Sequence, residues 1–289
     1  MKDTEEVQNR TRRQCVKAIG GGLAMAAAAF ATAQNTTPAG APAVPEYMAD
    51  DKKRMLLLSS SRYKDKGFLE HADEQFKTLY GDKKYNVLFV PYAAVSFTFE
   101  RFEEIVKPVF ERMGHTITSI HRAADPRAAV MQADAIAVGG GNSFALLKRM
   151  YDNKIVDAIS ARVNAGIPYV GWSAGGNVAG PTIRTTNDMP IVEPPTLRSL
   201  SLIPFQTNPH FISGKPVGHN GESREDRLNE FLDINPTEEL IAMPEGTALY
   251  CEGGHATIMG EAGMLWFRQG RKVEQMTEGT KFAIDNIHP

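Results

Sequence analysis

This 289-residue sequence lacks metal-binding patterns and has little cysteine. It contains no H-E-x-x-H or C-x-x-C motif and no cluster of carboxylates, so we expect neither a catalytic metal nor another cofactor. The dinucleotide-binding pattern G-x-G-x-x-G is also missing, because Phe144 stands where the last glycine of a motif starting at Gly139 would fall. The net charge of −2 gives no indication of a nucleic-acid partner, which would usually require a basic surface, so we expect none.

The N-terminal segment is typical of an export signal. Arg12 and Arg13 precede a run of small and apolar residues at 18–29, and Ala31-Thr32-Ala33 offers an A-x-A cleavage site. We interpret residues 1–33 as a twin-arginine signal. An ordinary secretory signal and an uncleaved anchor are the alternatives, although the run is short and rich in alanine and glycine for a membrane span. The expected location is periplasmic or exported, or cytoplasmic if the signal is unused, with no stable membrane association after cleavage.

Two cysteines are present, and the first, Cys15, lies within this signal. Cleavage leaves Cys251 alone in the mature chain, which excludes an internal disulfide even in an oxidising compartment. Residues 34–52 are rich in proline, alanine and threonine, which predicts a flexible linker. The overall composition, 42% hydrophobic and 23% charged, is typical of a globular protein. We therefore expect a single catalytic α/β domain over residues 53–289.

Short apolar runs alternate with helical periodicity in the first half of this domain. The runs predict strands at Arg54–Ser59, Tyr85–Pro91, Thr116–Ile120, Ala135–Val138 and Pro168–Val170. Apolar residues at helical spacing predict helices at Gly67–Tyr80, Phe99–Met113, Pro126–Gln132, Ser143–Tyr151 and Ile155–Ala165. This alternation predicts an α/β fold with a mostly parallel sheet and helices on both faces, in which ligands bind beyond the carboxyl ends of the strands.

The second half of the domain has a looser pattern. It predicts loops at Pro181–Pro195 and Gln206–Phe211. A helix at Ser223–Asp233 and a strand at Leu240–Met243 are predicted to follow. Ser223 and Asp226 have the spacing of a capping box at the start of the helix. From Ala248 onward, short apolar runs alternate with glycine-containing turns. We expect a C-terminal antiparallel meander there, closing near Met276.

A single serine follows the fifth predicted strand. The stretch Gly171-Trp172-Ser173-Ala174-Gly175 fits G-x-S-x-G, the pattern of a nucleophile elbow between a strand and a helix. Small neighbours are needed because the serine backbone is strained and other segments pass close to it. Gly139–Gly141 follow another strand at the same expected edge of the sheet. The N–H groups of this glycine run and of Ala174 are candidates for an oxyanion hole; the alternative is a tight strand-to-helix turn, which is compatible with that role.

A nucleophilic serine requires a general base and a group that orients the base. Of the seven histidines, His210 lies in an Asn-Pro-His-Phe loop that no periodic pattern explains, so it is the candidate base. The alternative is a loop histidine that bonds backbone groups. Two acids are candidates for the orienting role. Asp188 gives the order Ser–Asp–His of α/β-hydrolases, whereas Glu245 gives Ser–His–Glu with the acid at a strand end; the residues alone leave both open.

The order and spacing of these motifs resemble those of the peptidase E family of α-aspartyl dipeptidases. The resemblance covers the chain from about Met55 to the C-terminus, and its most specific part is Pro181–Val192. The other matching stretches are Gly139–Asn142, Gly171–Gly175, Asn208–Phe211 and Pro244–Gly246. The elbow and the triple glycine also occur in cyanophycinase-like relatives. Two features depart from the family pattern: Gly176 stands where alanine is expected, and the export signal is atypical of a cytoplasmic family.

The resemblance implies a flavodoxin-like fold related to class I glutamine amidotransferases. It implies a serine dipeptidase that removes N-terminal aspartate from Asp-X dipeptides, so the expected partner is a dipeptide. Ser173 is then the nucleophile and His210 the base, with Gly141 and Ala174 at the oxyanion positions. A cyanophycinase-like peptidase acting on β-linked aspartyl-arginine and a non-catalytic exported binding protein are the rival functions.

The same resemblance bears on the remaining site residues. Glu245 and Asp188 each match an acid to which the triad role has been assigned. We favour Glu245, with Asp188 as a substrate-side or supporting group. Arg184 is the candidate for the substrate's side-chain carboxylate, because a guanidinium binds a carboxylate through two parallel hydrogen bonds; an ion pair with Asp188 is its alternative. Asn142 is the second substrate-binding candidate.

Overall fold

The computed structural model of this protein describes residues 52–215, 217–218 and 220–284. The predicted export signal at 1–33 lies outside these residues, as does the predicted linker apart from its last residue. Both stay predictions. No helix in the described ranges is long and apolar enough to cross a membrane.

The described chain contains two β-sheets and the helices that cover them. In chain order the strands are β1 (Arg54–Leu58), β2 (Asn86–Val90), β3 (Thr116–Ser119), β4 (Ala135–Val138), β5 (Tyr169–Trp172), β6 (Gln206–Phe211), β7 (Glu239–Pro244), β8 (Ala248–Glu252), β9 (His255–Met259), β10 (Met264–Arg268), β11 (Glu274–Met276) and β12 (Lys281–Ala283). The α-helices are α1 (Asp73–Tyr80), α2 (Phe99–Arg112), α3 (Pro126–Gln132), α4 (Ser143–Asp152), α5 (Val156–Asn164), α6 (Ala174–Asn177) and α7 (Arg224–Ile234).

The five strands and five helices predicted in the first half of the domain are confirmed. The first α-helix begins at Asp73 rather than Gly67, after a 3-10 turn at Glu70–Ala72. Strand β5 continues to Trp172, which brings Ser173 directly to its end. The sequence pattern therefore located the elements correctly and erred mainly at their ends.

The larger sheet has the strand order β12-β9-β8-β1-β5-β4-β2-β3. Strands β1 to β5 are parallel to one another, whereas β8, β9 and β12 extend the sheet beyond β1 as antiparallel strands. Leu58 lies opposite Trp172 in the pairing of β1 with β5. The residues that follow these two strands, Ser59 and Ser173, therefore emerge side by side at one edge of the sheet.

Side chains of the central strand β1 alternate between two apolar clusters. Met55 and Leu57 belong to the first cluster, together with residues of α4 and α5. Leu56 and Leu58 belong to the second, together with residues of α1 and α2. Burial on both faces is what a parallel sheet with helical crossovers requires. The prediction of a flavodoxin-like, mostly parallel sheet covered on both faces is thereby confirmed.

The smaller sheet has the order β11-β10-β7-β6, with β6 and β7 parallel. One of its faces contributes Ile241 to the first cluster of the larger sheet. The other face packs Leu240 against Leu228 of α7. The predicted capping box starts this helix: the Ser223 hydroxyl accepts the Asp226 N–H at 3.1 Å, and the Asp226 carboxylate accepts the Ser223 N–H at 2.9 Å. Helix α7 thus closes the outer face of the smaller sheet.

The prediction of a loop at Gln206–Phe211 is wrong, because this stretch is strand β6. Its first three residues, Gln206, Thr207 and Asn208, are polar and buried, and hydrogen bonds tie the strand to neighbouring segments. Asn177 Nδ2 donates to the Thr207 carbonyl at 2.8 Å, and Asn208 Nδ2 donates to the Thr185 carbonyl at 2.7 Å. Since these partners are distant in sequence, a local pattern cannot distinguish this buried polar strand from a loop.

The antiparallel strands predicted from Ala248 onward are present, but they are divided between the two sheets. Strands β8 and β9 pair on the larger sheet, β10 and β11 join the smaller sheet beside β7, and β12 returns to pair with β9. The chain therefore closes its last strand at Ala283 rather than near Met276. Pairing with both sheets satisfies backbone groups that would otherwise be left at exposed edges.

Candidate active site

Ser173 occupies a strained turn between β5 and α6. Its φ is 53° and its ψ is −116°, a conformation that side-chain-bearing residues rarely adopt. The flanking glycines leave no room for a side chain: a Cβ on Gly171 would lie 2.2 Å from the Gly175 carbonyl oxygen, and a Cβ on Gly175 would lie 2.1 Å from the Val138 carbonyl oxygen. Close backbone packing thus produces the elbow that the G-x-S-x-G pattern predicts.

The glycine run after β4 lies beside this elbow. A Cβ on Gly140 would be 2.9 Å from the Ser173 Cβ, so the two turns are in contact. Gly141 has a φ of +137°, and a Cβ there would lie 2.3 Å from the Ala93 carbonyl oxygen. Within the described residues, the N–H groups of Gly141 and Ala174 have no hydrogen-bond acceptor. Both are therefore available to a substrate oxygen.

His210 lies at an irregularity of β6, where the register with β7 shifts between Pro209 and Phe211. Its φ is +55°, so the chain departs from the ladder at this residue. Its Nε2 lies 2.9 Å from Ser173 Oγ, and its Nδ1 lies 2.7 Å from Glu245 Oε1. In the tautomer that the carboxylate favours, Nδ1–H donates to Glu245 and Nε2 accepts the serine hydroxyl proton.

Glu245 lies in the short turn between β7 of the smaller sheet and β8 of the larger sheet. The next residue, Gly246, has a φ of +80° and packs against the ring of Tyr63. The side chains of His210 and Glu245 are 39% and 53% exposed. This pair therefore remains open to solvent and to small substrates, and its electrostatic interaction is screened by water.

A run of three serines after β1 holds this pair in place. Ser59 Oγ accepts the His210 N–H at 3.0 Å and donates to the Met243 carbonyl at 2.8 Å. Ser60 Oγ accepts the Gly246 N–H at 3.3 Å. The sequence analysis did not single out these serines, although a polar run directly after a buried strand, at the edge where ligands bind, was a usable signal.

Asp188 does not contact His210 through a hydrogen bond; Glu245 does. One oxygen of Asp188, Oδ2, accepts the Ser143 N–H at 2.7 Å and the Thr186 hydroxyl at 3.1 Å. The carboxylate also lines the cavity in front of Ser173 and His210. Asp188 thus faces the cavity rather than His210, and its role as a substrate-side or supporting group stays a prediction.

The structure does not bring Arg184 to the cavity. Its guanidinium forms an ion pair with Glu238, donates to Asn235 Oδ1 at 2.7 Å and stacks over the ring of Phe231. Arg184 is not among the residues that line the cavity, and its ion pair is with Glu238 rather than with Asp188. The reason is that α7 and the segment after it supply a carboxylate, an amide and an aromatic face, which together satisfy the guanidinium.

Asn142 is also engaged within the protein. Its Oδ1 caps α4 by accepting the Ala145 N–H at 2.9 Å, and its Nδ2 donates to the Met189 carbonyl at 2.8 Å. Its side chain thus links the start of α4 to the loop that carries Asp188. The predicted contact of Asn142 with substrate stays a prediction.

A cavity of about 490 Å³ opens in front of Ser173 and His210. Aromatic and aliphatic side chains line part of it: Phe68, Phe97, Phe102, Ile105 and Trp172. Charged groups at the cavity are Asp188 and Arg62. A cavity of this size, mostly apolar with a few polar groups, is typical of a site for a small molecule.

A second arginine lies next to the candidate base, His210. Arg224 of α7 donates to the His210 carbonyl. Burial lowers the pKa of the Arg224 guanidinium and Arg227 lowers it further, while Glu245 opposes both effects. Arg224 is thus close enough to interact with Glu245.

Cys251 is buried in the core, and burial raises the pKa of its thiol to about 12. This thiol is therefore excluded as a competing nucleophile.

Comparison with known proteins identifies the relatives of this chain. The family model described as peptidase family S51 matches residues 55–259. Peptidase E of Actinobacillus pleuropneumoniae serotype 5b is 50% identical over 233 residues, covering 80% of this chain and 99% of that protein. Peptidase E of Haemophilus influenzae Rd is 52% identical over 209 residues, covering 72% and 96%. The crystal structure of a peptidase from an acI-B1 Actinobacterium has a TM-score of 0.57 at 19% identity, covering 81% and 98%, and so shares the fold.

Proposed function

Since the chain belongs to peptidase family S51 and is therefore a peptidase, we propose that it is a serine-type dipeptidase that hydrolyses Asp-X dipeptides. The observation that carries the proposal is the unbroken hydrogen-bonded series Ser173–His210–Glu245, with distances of 2.9 and 2.7 Å. Nucleophile, base and orienting acid in this geometry define a catalytic triad on any fold.

The first half of the reaction forms an acyl-enzyme. Ser173 Oγ attacks the peptide carbonyl carbon while its proton moves to His210 Nε2. The N–H groups of Gly141 and Ala174 hold the resulting oxyanion. The C–N bond then breaks, and the leaving amine takes the proton from His210. Glu245 stabilises the imidazolium that exists between these two proton transfers.

The second half releases the aspartyl group. A water molecule gives one proton to His210 and attacks the acyl carbon, and the ester bond to Ser173 then breaks as the serine oxygen regains the proton. The same two N–H groups hold the second oxyanion. The free enzyme and a free aspartate are restored.

Recognition of an N-terminal aspartate requires groups of both signs at the cavity. Asp188 has one oxygen, Oδ1, without a partner among the described residues, and a carboxylate facing the cavity suits the substrate's α-ammonium group. The side-chain carboxylate of the substrate requires a cation. Since Arg184 is committed to Glu238, the candidate for this carboxylate is Arg224, which donates to the His210 carbonyl and interacts with Glu245.

The test is a panel of Asp-X, Glu-X, isoAsp-X and Leu-X dipeptides with the protein lacking residues 1–33. We expect turnover of Asp-X, covalent labelling of Ser173 by a fluorophosphonate, and loss of both in Ser173→Ala. Cleavage of β-linked aspartyl-arginine without cleavage of Asp-X would assign the rival polymer-directed activity. Absence of labelling and of turnover would leave a non-catalytic binding protein.

We also propose that the chain is exported through its twin-arginine signal. Support comes from the fold, which needs no disulfide: Cys251 is buried and unpaired. Replacement of Arg12 and Arg13 by lysine is expected to retain the full-length chain in the cytoplasmic fraction, whereas the native signal yields a shortened chain outside it. Equal fractionation of the two forms would overturn the proposal.

A further inference from the structure

The run of serines that holds the base also positions an arginine at the cavity. Ser60 Oγ, which accepts the Gly246 N–H, donates to the Arg62 carbonyl at 2.8 Å. The Ser61 carbonyl accepts the Leu69 N–H at 2.8 Å. The backbone on both sides of Arg62 is thus tied to the turn of Glu245 and to the segment before α1, so its place at the cavity is fixed by the fold.

The guanidinium of Arg62 is uncommitted. It lies over the ring of Phe68, at 6.0 Å from the centroid, and within the described residues it forms no ion pair or side-chain hydrogen bond. Arg184, in contrast, is satisfied by an acid, an amide and an aromatic ring. A free cation beside the nucleophile and base is available to an anionic part of the substrate.

The topology decides which end of the substrate Arg62 meets. His210 gives its proton to the leaving amine, so the leaving residue lies on the His210 side of Ser173. Arg62 follows Ser59, the residue that binds the His210 backbone, by three positions. Asp188 is anchored on Ser143, two residues after the oxyanion position Gly141. The two charged groups of the cavity therefore belong to opposite halves of the site.

We infer that Arg62 binds the C-terminal carboxylate of the leaving residue and thereby limits the enzyme to dipeptides; this inference rests on the proposed function. The leaving residue's side chain then lies on the aromatic side of the cavity, next to Phe68 and Phe102, which pack edge to face at 6.4 Å. Asp188 at one end and Arg62 at the other match the two charged ends of a dipeptide. In a tripeptide the second residue carries a neutral amide in place of the carboxylate, which forfeits the charge-assisted contact.

The experiment compares a free-acid substrate, Asp-Leu, with its C-terminal amide, Asp-Leu-NH2. The wild-type kcat/KM should be about tenfold higher for the acid, as expected for one charge-assisted hydrogen bond at an exposed group. Arg62→Gln should lower kcat/KM for the acid by about the same factor, through KM, with little effect on the amide, so that the ratio approaches one. Arg62→Lys, which keeps a point charge, should restore part of the ratio.

The matched control is Arg184→Gln, which removes a guanidinium from the same protein without touching the cavity and should leave the acid-to-amide ratio unchanged. Equal losses on acid and amide in Arg62→Gln, or no loss on either, would overturn the inference. Binding of both peptides to Ser173→Ala and to Ser173→Ala/Arg62→Gln, measured by calorimetry, gives the same ratio without turnover. Failure of the proposed hydrolysis is therefore distinguishable from failure of the role of Arg62.

Discussion

Two halves of the active site are held by different kinds of force. The nucleophile half, formed by Gly139–Gly141 and Gly171–Gly175 on the larger sheet, is held by close backbone packing in which no side chain fits. The base half, formed by His210, Glu245 and the supporting Ser59–Ser61, is held by hydrogen bonds between the two sheets and is partly exposed. Side chains added at the glycines of the first half should therefore affect folding, and changes in the second half should affect catalysis.

The largest expected effect is the loss of stability when a side chain is added in the nucleophile half. Gly175→Ala places a Cβ 2.1 Å from the Val138 carbonyl oxygen, so the backbone must move. We expect a loss of about 3 kcal/mol or more in the free energy of unfolding. The matched control is Gly176→Ala, where the Cβ would lie 3.2 Å from the Leu58 carbonyl oxygen. Because alanine favours the helix, that change should stay within about 1 kcal/mol; equal melting curves for the two variants would remove the steric account.

The next largest effect is the loss of kcat expected when Glu245, the acid of the base half, is replaced. Glu245→Gln keeps the shape but loses the charge that stabilises the imidazolium, so kcat should fall by about 10²- to 10³-fold with unchanged stability. Asp188→Asn should act mainly on KM, because that carboxylate faces the cavity rather than the base. Steady-state kinetics on Asp-Leu separates the two. A larger loss of kcat in Asp188→Asn than in Glu245→Gln would move the triad acid to Asp188.

The support of the base should matter less than the acid itself. Ser59→Ala leaves the partly buried His210 N–H without its acceptor, and we expect about a tenfold decrease in kcat, in line with the cost of an unsatisfied polar group. The control is Ser199→Ala, a buried serine that donates to the Gly180 carbonyl at 2.7 Å. That variant should lose similar stability but keep its kcat. A kcat that Ser59→Ala leaves intact would show that His210 is positioned by other contacts.

The smallest effect is expected where the sequence analysis had placed a substrate contact. Arg184→Gln removes a partly exposed ion pair with Glu238, so the free energy of unfolding should decrease by at most about 1 kcal/mol. The kinetic constants and the preference for aspartate should not change. Urea denaturation and the dipeptide panel are the measurements. Loss of the aspartate preference would return Arg184 to the site in spite of its distance from the cavity lining.

The nucleophile half could be predicted from the sequence because its determinants are contiguous. A short apolar strand, small residues and one serine define the elbow within a few positions, and the triple glycine after β4 is equally local. The parallel sheet followed from the same kind of pattern, since alternation of strands and helices is visible without knowing which strands pair.

The base half could be predicted only in part, because its contacts join residues that are distant in sequence. His210 lies 151 positions from the serine hydroxyl that holds its backbone. The sequence of β6, the strand that carries it, predicts a loop, because its polar groups form hydrogen bonds with segments far away in the chain. Arg184 was assigned to substrate for the same reason: its actual partner, Glu238, is 54 positions away. The sequence alone does not distinguish Arg62 from other surface arginines, because its backbone is fixed through Ser60, which bonds the distant Gly246.

The division of the site between two sheets also has a consequence for the chain while it is still folding. Ser173 emerges from the larger sheet, whereas His210 and Glu245 depend on β6 and β7 of the smaller one. A chain in which only the first five strands have assembled has a serine but no base. If Ser173 and His210 act as proposed, hydrolysis begins only when both sheets are in place.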